Sequence, residues 1–246
     1  MSAPAAVILT SEKFRPLSDL LCRALSRWCP GWEILLLDAW DDSWASPVPP
    51  DVREIINGGD RTYHICLRRV FDAPLLTSAD TIYLLDADCF VMGPMDDWGP
   101  CAFMASWAGP DDADRLAIWR ELGVEIDEPY PCLCAGTCSF PRQMLIDGRD
   151  TAIHFVRQAV KMGYYRPKKR AALDNALVSG LWKMRYPMNP LPRERYAYIN
   201  TTSEMALYHP GCWVMSQPDF PGFVAAYKAF LNGGSKEPLC RFRPRG

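Results

Sequence analysis

Thr81-Ile82-Tyr83-Leu84-Leu85-Asp86-Ala87-Asp88 is the stretch on which the reading of this chain turns. Thr81 to Leu85 is a short apolar run without polar alternation, as expected of a strand buried on both faces of a parallel sheet. Two carboxylates then flank one small residue at the strand's end. Ligands of open α/β sheets gather at the carboxyl ends of strands, and residues i and i+2 of a strand point the same way. Two like charges so placed need a compensating cation. A hard divalent ion suits carboxylate oxygens, with phosphate oxygens and water completing its shell. The plain alternative is a strand-end turn with two solvated aspartates. The buried strand in front of the pair favours the metal.

Working outward, Ala5 to Leu9 reads as a buried strand. Leu17, Leu20, Leu21, Ala24, Leu25 and Trp28 then recur at helical spacing, with Pro16 in the first turn and Cys29-Pro30-Gly31 as the stop. Glu33 to Asp38 is a second strand, apolar on both faces. A loop rich in proline, aspartate and serine runs from Asp41 to Pro50. A helical pattern follows with Tyr63, Leu67, Val70 and Phe71 on one face, and leads into the strand at Thr81. This alternation predicts an α/β fold with a mostly parallel central sheet, flanked by helices and joined by right-handed crossovers.

The second half is more mixed. Ala102 to Trp107 and Cys132 to Phe140 are candidate strands, with a short helix from Asp111 to Leu122 between them. Ile153, Val156 and Val160 mark a helix. Another spans Ala171 to Trp182, after the basic turn Arg166-Pro167-Lys168-Lys169-Arg170. A last helix over Phe223 to Leu231 stops at Asn232-Gly233-Gly234, and the basic tail from Arg241 is expected to be mobile. No repeat and no long linker interrupts the chain, so residues 1–246 read as a single domain.

Composition excludes several classes. Hydrophobic residues make up 49% and charged residues 23% of the 246, which argues against a disordered or fibrous chain. The net charge of -2 excludes a globally basic nucleic-acid binder, though not a local basic patch. No apolar run approaches the roughly 18–20 residues of a membrane span. Ala5 to Leu9 is too short for a signal-peptide core and has no basic residue before it. Ten cysteines are too few for a disulfide scaffold of this length, so reduced thiols in a cytoplasmic protein are expected. Cys132, Cys134 and Cys138 are evenly spaced and would share one strand face as buried apolar residues.

Two further segments carry polar chemistry. His209, one of three histidines, stands in the turn Tyr208-His209-Pro210-Gly211, where an imidazole could reach a metal or a diphosphate; the alternative is an ordinary exposed turn. His64 and His154 fall within helical patterns. Ala135 and Gly136, within Cys134 to Phe140, are small enough to let a ligand approach the backbone. Asp174 and Asn175 open a helix, where they could bond sugar hydroxyls or simply cap it.

In this order the segments resemble the GT-A glycosyltransferases, particularly the family-eight group that includes glycogenin and the bacterial lipopolysaccharide galactosyltransferases. The resemblance rests on Leu67-Arg68-Arg69-Val70-Phe71, the strand ending at Asp86-Ala87-Asp88, Cys134 to Phe140, Leu173-Asp174-Asn175-Ala176-Leu177 and Leu207 to Gly211. It implies a nucleotide-binding half over about residues 1–100 and a donor-sugar and acceptor half over about 101–246. It implies that Thr10 and Ser11 lie along the nucleotide, Asp38 near the base, and Arg69 or Arg68 near the phosphates or sugar. Asp86, Asp88 and His209 would hold Mn²⁺ or Mg²⁺ on the diphosphate. Ala135, Gly136, Asp174 and Asn175 would line the sugar and acceptor side. The sequence also departs from the family. Cys134 stands where an asparagine is usual, and Cys212-Trp213 follow Gly211 in place of lysine–proline–tryptophan, which leaves the phosphate-binding lysine unassigned.

The expected activity is transfer of a sugar, a hexose first among candidates, from a nucleoside-diphosphate sugar to an acceptor hydroxyl. The resemblance leans towards a UDP-sugar donor and retention of configuration. The acceptor is open: a glycan, a protein, a small molecule, or modified DNA reached through the basic turn 166–170 and the tail 241–245. A nucleotidyltransferase is the nearest rival, but Thr10 to Arg15 contains no glycine with which to build a phosphate loop. A degenerate sugar-nucleotide-binding module is the other.

Overall fold

The first strand, β1 (Ala5–Thr10), is flanked on both sides by parallel partners, β2 (Glu33–Asp38) and β3 (Thr81–Asp86). In this computed structural model the described residues are 2–39, 41, 43–58, 65–96, 98–105, 117–125, 133–164, 173–183, 189–198, 201–210 and 214–243. Side chains alternate along β1. Val7 and Leu9 enter one core, while Ala6 and Ile8 enter another on the opposite face. All four are buried, which is why the run lacks polar alternation.

Helix α1 (Arg15–Trp28) connects β1 to β2 and buries Leu20, Leu21, Ala24 and Leu25. Full burial of a leucine side chain is worth about 1.5–3 kcal/mol relative to exposure. The chain leaves α1 through Gly31, whose φ of +87° favours glycine. Helix α2 (Pro50–Gly58) and helix α3 (Arg68–Leu76) lie between β2 and β3. The loop reading up to Pro50 gave no sign of α2. Val52 and Ile56 alone supply its buried face, too short a period to stand out. Tyr63 lies outside the described residues.

After β3 come β4 (Phe90–Val91), β5 (Ala102–Ala105) and β6 (Leu133–Pro141). Helices α4 (Arg142–Asp147), α5 (Arg149–Lys161) and α6 (Leu173–Lys183) follow. Then come β7 (Asn189–Pro190), β8 (Tyr196–Tyr198), β9 (Leu207–His209), α7 (Phe220–Leu231) and α8 (Glu237–Cys240). The central sheet has the order β2-β1-β3-β6-β5-β7. Three of its neighbour pairs are parallel, and β6 runs antiparallel to both β3 and β5. A second sheet, β4-β9-β8, is built from strands of two or three residues.

Three expectations need correction. As the sheet's edge strand, β2 is only partly buried, with Leu36 40% exposed. Cys134 and Cys138 enter cores on opposite faces; the β5–β6 ladder shifts register between Phe103↔Cys138 and Ala105↔Leu133, and such an irregularity breaks the two-residue period. Cys132 lies outside the described residues. The start of the C-terminal tail is anchored. The Phe242 ring lies 4.9 Å from that of Phe223, and Arg243 Nη1 donates to Thr201 Oγ1 at 2.9 Å. All eight described cysteines are free thiols. No helix among the described residues is long and apolar enough to cross a membrane.

Candidate metal and donor site

The sheet register brings the carboxyl ends of three parallel strands together. Thr10 pairs with Asp38 and Leu9 with Asp86. Thr10, Asp38 and Asp86 therefore share one edge of the sheet, with Ser11 next to Thr10. The Thr10 hydroxyl bonds to that of Ser18, and the Thr10 carbonyl accepts from Ala39 N at 2.7 Å. Asp38 faces Arg15 across 3.8 Å, both partly exposed.

The small sheet delivers the histidine. In the β4–β9 ladder Phe90 pairs with Tyr208 and Val91 with Leu207. Carried one position further, that antiparallel register sets His209 beside the residues just after β3. His209 is thus the last residue of a strand rather than part of an exposed turn, and is only 5% exposed. Its Nε2 lies 3.3 Å from Asp88 Oδ1 and 3.6 Å from Asp86 Oδ2. One ligand atom from each of Asp86, Asp88 and His209 lies within 4.8 Å of the others. The other ring nitrogen, Nδ1, is 3.2 Å from Cys134 Sγ.

Arg69, fully buried on α3, forms a close ion pair with Asp86 Oδ1. Burial alone would raise the Asp86 carboxyl, but the Arg69 guanidinium and the His209 ring outweigh it, so it stays below the ordinary carboxylate range. Burial also opposes a charged His209. The Cys134 sulfur, the Asp88 carboxylate and the Cys89 sulfur more than compensate, and its protonation is pushed well above the histidine norm. Burial pushes the Cys89 thiol up, and its Sγ donates to the Gly136 carbonyl at 3.5 Å.

This donor set fits a divalent ion. Two carboxylates and one imidazole converge, and such a mixed oxygen and nitrogen set suits a divalent cation. Gly136 makes the space: a Cβ there would meet Asp86 Oδ2 at 2.0 Å.

The remaining candidates are placed differently. Ala135 is fully buried, and its backbone N–H donates to Asn175 Oδ1 at 2.8 Å, which ties β6 to α6. Asp174 is the second residue of α6. Arg68 turns away from the carboxylate cluster. It pairs with Asp72 at 2.8 Å and donates to the carbonyls of Asp38, Asp41 and Ser43, clamping the loop after β2. His154 is exposed on α5. His64, the basic turn 166–170 and residues 244–245 lie outside the described residues. Sequence reasoning missed Cys89 and Cys134 as neighbours of the histidine. Their only signal was proximity in sequence to Asp88 and Gly136.

Solved structures share this architecture. The galactosyltransferase LgtC, solved with donor and acceptor sugar analogues, superposes with a TM-score of 0.60 at 11% identity, over 93% of this chain and 95% of that one. An active-site mutant of LgtC gives 0.58 at 12% identity, over the same shares. The chain has a GT-A fold. The bifunctional glycosyltransferase WbbM gives 0.51 at 12% identity, over 85% of this chain and 45% of that one. The glycosyltransferase GlyE of Streptococcus pneumoniae TIGR4 is similar at 14% identity with a TM-score of 0.47, and the chain spans 53% of its length. No protein-family model matches the sequence, and no curated protein matches it.

Proposed function

We propose that the chain is a divalent-metal-dependent glycosyltransferase using a nucleoside-diphosphate sugar, with a UDP-sugar as the first candidate. The observation that carries the reading is the convergence of Asp86, Asp88 and His209 at the carboxyl end of β3. It lies on the same sheet edge as Thr10 and Asp38, where a nucleotide would lie in an open α/β sheet. The GT-A fold supports it.

In this reading Asp86, Asp88 and His209 hold Mn²⁺ or Mg²⁺. The bound ion supplies Lewis-acid stabilisation of the departing diphosphate. Arg69 neutralises and orients Asp86 from behind. Thr10 and Ser11 lie along the nucleotide. Asp38 stands near the base, at the end of β2, before the loop whose shape Arg68 fixes. Gly136 leaves room beside Asp86, and Ala135, Asp174 and Asn175 border the sugar and acceptor side. Retention of configuration is what the family resemblance implies, with proton transfer from the acceptor left to the leaving phosphate. The whole chain, 1–246, serves as one donor-and-acceptor unit.

The test is a donor screen on the full chain with Mn²⁺, reading release of the nucleoside diphosphate with and without EDTA. Metal-dependent release of UDP from one UDP-sugar is expected. Pyrophosphate release from a nucleoside triphosphate would favour a nucleotidyltransferase instead. Tight donor binding without turnover would favour a binding module.

A further inference from the structure

The ring of His209 has two differently occupied nitrogens. Nε2 faces Asp88 Oδ1 at 3.3 Å and Asp86 Oδ2 at 3.6 Å, and Nδ1 faces Cys134 Sγ at 3.2 Å. Both residues are buried, at 5% and 6% exposure. A histidine that gives one nitrogen to a metal keeps its hydrogen on the other, and that hydrogen needs an acceptor. The usual acceptors are a carboxylate, a backbone carbonyl or water, and they set the tautomer and the ring rotation. Here a sulfur holds the position.

The backbone that follows Cys134 is held in place. Asn175 Oδ1 takes the N–H of the next residue, Ala135, at 2.8 Å. The Gly136 carbonyl accepts from Cys89 Sγ at 3.5 Å. These bonds tie β6 to α6 and to the segment after β3. Cys134 on the central sheet meets His209 on the small sheet at this point.

We propose that Cys134 is a positioning residue of the metal site. Its sulfur accepts the Nδ1–H of His209 and so leaves the Nε2 lone pair for the metal that Asp86 and Asp88 would share. The effect on metal affinity rests on the metal reading above; the hydrogen bond does not. The plain alternative is a buried cysteine that only fills space.

Two measurements on the full chain separate these. Mn²⁺ titration calorimetry compares wild type with Cys134→Ser, which keeps an acceptor, and with Cys134→Val, which keeps the apolar volume. Loss of such an outer partner costs about 10–100-fold in metal affinity. That loss is expected for Cys134→Val, while Cys134→Ser binds far closer to wild type. Equal binding by folded Cys134→Val, or weaker binding by serine than by valine, overturns the proposal. Nitrogen-15 histidine NMR, with only three histidines to assign, reads the bond without metal. The His209 Nδ1–H should be present and slow to exchange in wild type, and should shift in Cys134→Val. An Nδ1 without a proton overturns the proposal on its own. A wild type that binds no Mn²⁺ but shows the Nδ1–H overturns the metal reading and keeps the hydrogen bond.

Discussion

Gly136 and Asp86 lie so close that a Cβ on the glycine would sit 2.0 Å from Asp86 Oδ2 and 2.3 Å from its Cγ. The carboxylate cannot swing away without breaking its ion pair with Arg69. Gly136→Ala therefore moves a proposed metal ligand. The expected result is a drop of at least about tenfold in Mn²⁺ affinity, comparable to loss of a partner that holds a ligand. Circular dichroism should show the fold retained. Unchanged Mn²⁺ affinity in the folded variant would contradict the placement of Asp86 in the site.

Arg69 keeps the Asp86 carboxyl below its ordinary value of 3.8, against the pull of burial. A carboxyl depressed in the folded state contributes stability above its unfolded pKa and loses it as pH falls through the folded one. In wild type that loss falls below pH 3.8. Arg69→Met leaves burial unopposed by the guanidinium and raises the carboxyl. Urea unfolding as a function of pH should then show the loss of stability below pH 3.8 diminished or reversed in the variant, because the gap between the folded and unfolded pKa closes or changes sign. Superimposable acid limbs would show that the ion pair has no such effect.

The Arg68–Asp72 pair is almost wholly buried, at 1% and 0% side-chain exposure. Asp72 also accepts from Ser46 N at 2.9 Å, so it ties the same loop that Arg68 holds through three carbonyls. Arg68→Met strands a buried carboxylate, and breaking such a pair costs about 3–5 kcal/mol. We expect a clear fall in urea midpoint. In the folded fraction nucleotide affinity should fall more than Mn²⁺ affinity, because in the proposed reading the loop borders the base and not the metal. Equal losses in both would argue against a loop-specific role.

Further along α6, a Cβ at Gly180 would lie 2.0 Å from Trp119 Cε2. The indole is fully buried and donates to the Ala176 carbonyl at 2.6 Å. Gly180→Ala overpacks this contact, which typically costs about 1–3 kcal/mol. Thermal unfolding should register the loss while Mn²⁺ affinity stays at the wild-type level. A change in Mn²⁺ affinity would mean that the two regions are coupled.

The parallel core was legible because β1, α1, β2 and β3 each carry a long, regular apolar signal. Asp86 and Asp88 were legible because they follow a strand that has to be buried. The small sheet was not. Phe90–Val91 and Leu207–His209 are too short to show a period, and only their pairing reveals that His209 ends a strand. Arg68 and Arg69 are adjacent and chemically alike in sequence. Packing alone sends one to the Asp41 loop and the other to Asp86. The Cys134–His209 contact joins residues 75 positions apart, and no local pattern encodes it. The even spacing of the cysteines pointed to one face, and the irregularity in β6 undid it.

The central claim is that Asp86, Asp88 and His209 hold a metal through which a nucleoside diphosphate binds. Calorimetric titration of UDP and GDP into the purified chain, first with Mn²⁺ and then with EDTA, tests it most directly, with Asp88→Asn as the companion variant. The account predicts binding of one nucleotide that depends on Mn²⁺ and is lost both with EDTA and in the variant. Nucleotide binding that persists unchanged in EDTA, or in folded Asp88→Asn, would contradict it.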